Sequence, residues 1–461
     1  MDTKRFSLET TLTLITAYLG LFVGLVDANA INLALPAVHN DLGGGISGAQ
    51  WTIDAYNITF AAVLLTAGSL GDRFGRRTLL RIGLMTFIAT SLVCAVAPSL
   101  PLLLTARAVQ GVGAAIMLPQ GLAIAAAAFP NPIERDRATA AWAIAAAMST
   151  AIGPILGGEL TDTLGWRYIF WLNAPIGVVA LLMTYRYLPE SRDPDAASFD
   201  VPGQTLAMLG LGALTIVLVE GRTLAPAWTV ALAVAAVAGI AAFVRSQQQV
   251  RHPMLPLDLF RSRRLIAALV ATFTMTFGIY GLLLVNSFAF QQQRGASALA
   301  TALWFLPMPL TYLVFIPAVN ALAHRTGPQL PITAGLTLMA AGMALYAAAG
   351  PQADVWLIEL SFVLAGVGLA LNTGPAVGLA MSAVPLQRAG LASGVVNLAR
   401  LVGITVGVAV LGSAMAASGG ADGARIATML GGLVQLIGAA LALRWAWSEE
   451  PAPPQKEVCH A

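Results

Sequence analysis

Gly68-Ser69-Leu70-Gly71-Asp72-Arg73-Phe74-Gly75-Arg76-Arg77 stands between two apolar runs, 51–70 and 79–97. Three arginines and an aspartate crowd into six residues of a chain that is otherwise 57% hydrophobic and only 10% charged. Soluble globular proteins carry about 25% charged residues, so the stretch reads as a short loop between two bilayer spans. Apolar runs of about 20 residues, each closed by a charge cluster, continue outward in both directions. They give fourteen spans: 10–33, 51–70, 79–97, 102–126, 138–160, 168–187, 202–220, 227–244, 265–290, 299–322, 331–349, 355–380, 391–413 and 426–447. The expected fold is therefore an all-α polytopic membrane protein with 14 transmembrane helices. Forty-five glycines and 25 prolines sit within these runs, where membrane helices tolerate both residue types.

Arginine placement sets the expected orientation. With both termini cytoplasmic, 19 of the 25 Lys and Arg residues lie inside, from Lys4 and Arg5 through the 73–81 cluster and Arg261, Arg263 and Arg264 to Lys456. Four lie outside (Arg167, Arg222, Arg294, Arg425), and Arg107 and Arg400 fall within spans. Trp166, Tyr168, Phe170 and Trp171 mark an outer interface, where amphipathic rings settle. Ala28-Asn29-Ala30 has the small residues of a signal-peptide cleavage site, but Ile31 to Pro36 continue the apolar pattern past Asp27, so a retained first span fits better. A net charge of +3 is too small to imply a nucleic-acid partner. Cys94 and Cys459 make neither a disulfide framework nor a metal cluster.

Short matches recur at a near-constant offset. Leu70-Gly71-Asp72-Arg73-Phe74-Gly75 returns weakly as Leu322-Ala323-His324-Arg325-Thr326-Gly327, and Gly83-Leu84 as Gly335-Leu336. Gly111-Val112-Gly113 returns as Gly366-Val367-Gly368, and the Gly153/Gly157 pair as Gly403/Gly407. The implied layout is two six-helix bundles with pseudo-two-fold symmetry facing each other across a cavity. Residues 1–190 form the first bundle, 251–461 the second with a short polar tail, and 191–250 an inserted pair of linker helices.

An ionised side chain at mid-membrane costs about 2.5–3.5 kcal/mol on insertion scales, so such residues are the first functional suspects. Asp27, with Asn29 and Asn32 nearby, reads either as a polar helix end or as a protonatable group in the cavity. Arg107, with Gln110 at i+3 on the same face, reads as a snorkelling interfacial arginine or as a cavity-wall cation. Arg400 beside Asn397 divides in the same way. Glu159, Glu220, Glu359 and Asp54 lie near outer span ends as interfacial carboxylates; Asp54, with Tyr56 and Asn57, is the best exception. In the 68–77 loop the arginines explain topology, but Asp72 and Gly68, Gly71 and Gly75 do not. A carboxylate there can pair across the halves in one arrangement and release in the other. Gly153-Pro154-Ile155-Leu156-Gly157-Gly158 combines a proline kink with small residues that let helices approach closely.

These motifs resemble the major facilitator superfamily, and within it the fourteen-span drug:proton antiporter branch, including small bacterial antibiotic-export members. The 68–77 loop is complete for the superfamily. Asp27-x-x-x-x-Asn32-x-Ala34-Leu35-Pro36 is similar to the branch's first-helix motif, with Asn29 where threonine is usual. Arg107-Ala108-Val109-Gln110-Gly111-Val112-Gly113 resembles the fourth-helix motif, whose arginine is tied to proton transfer in the family. Gly153-Pro154-x-x-Gly157-Gly158 resembles the antiporter motif of the fifth helix. Gly165-Trp166-Arg167-Tyr168-Ile169-Phe170-Trp171-Leu172-Asn173-x-Pro175 and Arg400-x-x-Gly403 complete the likeness. His324 replaces aspartate in the second loop, which leaves that half without the matching carboxylate.

The resemblance implies proton-coupled export of small amphipathic or cationic molecules, with Asp27, Arg107 and Asp54 in proton coupling. Gly68, Asp72, Arg73, Gly75, Arg76, Arg77, Gly153, Pro154, Gly157 and Gly158 are the expected conformational gate. By position, Tyr56, Gln110, Met117, Met148, Tyr280, Asn286, Trp304, Asn372 and Arg400 are candidates for the substrate cavity. Tyrosine and tryptophan offer a flat apolar face with a polar tip, and methionine adapts its shape. The alternatives are a metabolite exporter or uniporter of the same superfamily, or a non-transporting scaffold, which the lack of a sizeable soluble segment disfavours. No enzyme is expected: the chain shows no Ser/His/Asp set, phosphate loop or metal spacing. Neither cofactor nor metal is expected. The partners are a small molecule, protons and the bilayer of a bacterial inner membrane, around a monomer.

Overall fold

The computed structural model describes residues 8–128, 132–188, 190–192, 200–250, 253–350, 353–385 and 388–446. Lys4, Arg5, Arg251, Lys456 and the tail carrying Cys459 lie outside the described residues, as does the side chain of Asp72. The first six long helices are α1 (Leu8–Leu42), α2 (Gly45–Phe74), α3 (Arg76–Ala95), α4 (Leu100–Ala128), α5 (Pro132–Thr163) and α6 (Arg167–Tyr187). A pair follows, α7 (Val201–Glu220) and α8 (Pro226–Gln249). The remainder is α9 (Arg263–Phe288), α10 (Ala298–Phe305), α11 (Pro307–Thr326), α12 (Gln329–Ala349), α13 (Val355–Ser382), α14 (Ala389–Ser418) and α15 (Gly420–Ala446). Among the described residues, 13 segments are long and apolar enough to cross a bilayer. The 30-residue α2 is long enough too.

Helices α1, α2, α4, α5, α8 and α14 overrun their apolar stretches at both ends, because backbone hydrogen bonding continues wherever it is not interrupted. The 68–77 stretch is not a loop. Helix α2 runs to Phe74, and α3 begins at Arg76. Gly75 alone turns the chain, at a φ of +100° that other residues rarely adopt. The expected span 299–322 is split: α10 ends at Phe305, and Pro307 opens α11 as its first residue, where a missing N–H does no harm. Side chains cap the starts of three helices. Asp200 accepts from Gly203 N at 2.8 Å, Ser297 from Ala300 N at 3.1 Å and Ser262 from Leu265 N at 3.4 Å.

Helix α1 packs on α5, α6 and α4, while α4 also packs on α2 and α3. In the later part, α9 packs on α14, α15 and α13, while α13 also packs on α11 and α12. Glycines allow the closest approaches. A Cβ on Gly83 would meet Gly113 O at 2.8 Å, and one on Gly335 would meet Gly368 O at 2.7 Å. Likewise Gly157 lies against the Ala30 backbone, and Gly407 against that of Phe277.

Hydrogen bonds between the two helix sets gather at one end. Gln50 Nε2 on α2 donates to Val408 O and Ala409 O on α14, at 2.9 and 2.7 Å. Gln291 donates to Leu33 O at 2.9 Å. Asp162 at the end of α5 accepts from Ala298 N and Leu299 N at 3.0 and 2.8 Å, capping α10. Helix α7 lies over the α2–α14 seam, and α8 packs outside it.

Candidate functional site

Asp27 and Arg107 meet inside the first six helices. Arg107 Nη1 donates to Asp27 Oδ2 at 2.6 Å, and both side chains are fully buried. The same nitrogen donates to Gln110 Oε1 at 2.7 Å, and Nε donates to Thr52 O at 3.1 Å. Asn173 Nδ2 donates to Asp27 Oδ1 at 2.7 Å, and Gln110 Nε2 donates to Ser91 Oγ at 2.8 Å. The guanidinium also sits over the Tyr56 ring, 4.5 Å from its centroid. Side chains or backbone of α1, α2, α3, α4 and α6 therefore converge on one ion pair. Breaking such a buried pair costs about 3–5 kcal/mol, so the network fastens these five helices together.

The central cavity is a separate place. It holds about 820 Å³ of non-atom space when the open solvent at its mouth is included. Both helix sets wall it: Asn29 from α1 and Pro154 from α5, against Tyr280, Tyr312, Thr373 and Arg400 from α9, α11, α13 and α14. Neither Asp27 nor Arg107 is on this wall, which corrects their expected position beside the gap. The reason is helical rotation. Two residues turn a helix by about 200°, so Asn29 faces the cavity while Asp27 faces the bundle interior.

Of the expected cavity residues, Tyr280 and Arg400 lie on the wall, with Pro154 from the expected gate. Tyr56 and Gln110 belong to the ion-pair network. Met117 is buried where α1, α3 and α4 meet, against Gly24 and Gly83. Asn286 and Asn372 are buried off the wall, with side-chain N and O atoms that have no hydrogen-bond partner. Trp304 packs edge-on against Phe290 at 5.2 Å and beneath Arg294. Met148 is exposed on α5, below the Ala151 and Pro154 wall positions. For these seven, tertiary packing rather than span position decided which way the side chain faces.

Asp54 is another buried carboxylate. It lies on α2 one turn from Gln50, on the same face, next to the bonds that join α2 to α14. It is fully buried, and neither oxygen has a hydrogen-bond partner. An ionised carboxylate in such a position is costly, so it needs either a proton or a partner that this arrangement does not supply.

The 68–77 stretch is bound within its own half. Arg76 N donates to Ser191 O at 2.9 Å, and its Nη1 to Ala123 O at 3.1 Å. Arg77 N donates to Glu190 Oε1 at 3.1 Å, while Arg73 is exposed and Gly68 faces open space. The second part of the expected gate divides by partner. Gly153 abuts Asn29 and Gly157 abuts Ala30, both on α1, whereas Gly158 lies under the Ala298–Leu299 backbone of α10. Ser91 and Glu190 carry no sequence signal of their roles. Asn173 does stand in a quoted motif, but only the fold brings it to Asp27.

The fold matches solved transporters over nearly its whole length. A POT family transporter crystallised with 5-aminolevulinic acid superposes with a TM-score of 0.72 over 95% of this chain and 96% of that one, at 15% identity. Multidrug resistance protein Stp of Mycobacterium tuberculosis is 37% identical over 414 residues, covering 88% of this chain and 76% of Stp. The methylenomycin A resistance protein of Streptomyces coelicolor is 31% identical, covering 92% and 90% of the two chains. The tetracenomycin C resistance and export protein of Streptomyces glaucescens is 33% identical, covering 88% and 76%. A sequence model described as Major Facilitator Superfamily matches residues 17–408. With a transporter fold, spanning helices and a central cavity in place, the chain belongs to the Major Facilitator Superfamily and is a multi-pass membrane transporter rather than an enzyme.

Proposed function

We propose that the chain exports small amphipathic molecules of the drug or antibiotic kind in exchange for protons, by alternating access. The observation that carries this reading is a cavity walled by both helix sets and hydrogen-bonded shut toward one end. Relatives named for multidrug resistance and for tetracenomycin C resistance and export support the direction of transport. In this scheme residues 1–190 and 251–461 are the two pivoting bundles, fourteen spans cross the bilayer, and 191–250 is the inserted pair. Matched neighbours support the pseudo-symmetry: α1 against α5 corresponds to α9 against α14, and α3 against α4 to α12 against α13. Both termini are cytoplasmic in the scheme, so the sealed end faces outward and the cavity is in its inward-facing state. The working unit is a monomer, in a bacterial inner membrane.

The proton gradient drives the cycle without a cofactor. One proton crossing 100 mV supplies about 2.3 kcal/mol, and each pH unit adds about 1.36 kcal/mol. Asp54 carries the proton in this proposal. It is neutral and unpartnered while the α2–α14 seam is closed, and it gains water when the seam opens. The Asp27–Arg107 pair keeps the first bundle rigid, so that rotation of one bundle moves Asp54 as well. Everted vesicles loaded with a pH-sensitive dye and given candidate drugs test the reading. Asp54→Asn is expected to abolish drug-induced dequenching at normal expression, and unchanged dequenching would remove Asp54 from the mechanism.

A further inference from the structure

Arg400 is the one charged residue among the described residues of the cavity wall. Its Nε is buried without a hydrogen-bond partner, and no carboxylate pairs with its guanidinium among the described residues. Two other carboxylates are committed elsewhere: Asp27 is tied to Arg107 and Asn173, and Asp258 to Arg388. The remaining polar wall is neutral, with Asn29, Thr276, Tyr280, Tyr312 and Thr373. A cation left unpaired in a half-enclosed apolar space is poorly compensated. It attracts an anion and repels a second cation. Guanidinium is planar and donates in a fork that matches a carboxylate.

Resting on the export reading above, we propose that this cavity selects anionic amphipathic molecules, compact aromatic or alicyclic carboxylates whose acid group pairs with Arg400. Tyr280 and Tyr312 flank the rings, and Phe305 and Met308 receive the apolar edge. The sequence pattern allowed amphipathic or cationic substrates, and the charge on the wall favours the opposite sign to the cationic choice.

The test uses the full chain in nanodiscs and three probes: 2-naphthoate, its neutral isostere 2-naphthamide, and the lipophilic cation tetraphenylphosphonium. Wild type is expected to bind naphthoate at least tenfold more tightly than naphthamide by calorimetric titration, with tetraphenylphosphonium weakest. Arg400→Gln is expected to bring naphthoate and naphthamide to within about twofold. Arg400→Lys, which keeps the charge, retains part of the preference and controls for folding. No naphthoate binding to wild type, tighter binding of the cation, or a ratio unchanged in Arg400→Gln each overturns the proposal. Proteoliposomes under an imposed pH gradient separate it from the export reading. Selective naphthoate binding without gradient-driven flux defeats export alone. Gradient-driven flux of tetraphenylphosphonium that is insensitive to Arg400→Gln defeats the anion proposal alone.

Discussion

Arg107 uses three of its donors in three directions: Asp27, Gln110 and the Thr52 carbonyl. Lysine has no such fork, so Arg107→Lys is expected to lose the Thr52 bond and to lower thermal stability in detergent. Asp27→Asn removes the charge and leaves Arg107 buried without its counter-ion. It is expected to cost about 3–5 kcal/mol, read as a fall in unfolding temperature by fluorescence-detected chromatography. An unchanged unfolding temperature would mean that water reaches the pair and that it does not fasten the bundle. Charge in an apolar run marked Asp27, Arg107 and Arg400 as unusual. Their facing was not legible, because a rotation of two residues along α1 separates cavity from core, and only packing against α4 and α6 fixes it.

At the scale of helices, α5 carries both seams of the first bundle. Gly157 lets α5 lie against Ala30 of α1, and Gly158, about 100° round the helix, lets an adjacent face meet α10. A Cβ on Gly158 would stand 2.8 Å from the Leu299 Cα. Gly158→Val is therefore expected to hold this end apart while leaving α5 seated on α1. Increased labelling of a cysteine placed at Ala298, with unchanged thermal stability, would show it; labelling equal to the parent would sink the idea. Asp162→Ala removes the cap on α10 and should raise labelling in the same direction but less, since each lost hydrogen bond is worth about 1 kcal/mol. Helix existence was legible here because hydropathy and length set it. The break between α10 and α11 was not read, although Leu306-Pro307-Met308-Pro309 contains its cause. A proline inside an apolar run permits either a kink or a restart, and the neighbouring helices choose.

Taken as a whole molecule, the protein holds its two helix sets together most firmly at one end, where Gln50 lies against Gly412 and the Val408 and Ala409 carbonyls. A cysteine pair, Gln50→Cys with Gly412→Cys, is expected to crosslink under mild oxidant and to stop transport until reduced. Full transport by the oxidised, crosslinked protein would exclude opening at this seam. The glycines that recur along the chain, Gly83 with Gly335 and Gly157 with Gly407, sit at similar close helix contacts. The charge network had no such echo. Asp27 and Arg107 share no spacing pattern that links them 80 residues apart.

Helix α7 touches both sides of that seam. Glu220 at its end accepts from Trp51 Nε1 of α2 at 3.0 Å and also bonds Ser47, while the Leu218 carbonyl accepts from Ser413 of α14 at 2.7 Å. A strap fixed to both leaves of a door cannot stay fixed when the door swings. If the seam opens as proposed, the bond to Ser413 or the one to Trp51 must break first, so α7 would ride with whichever leaf grips it harder, and the inserted pair would thereby acquire a side.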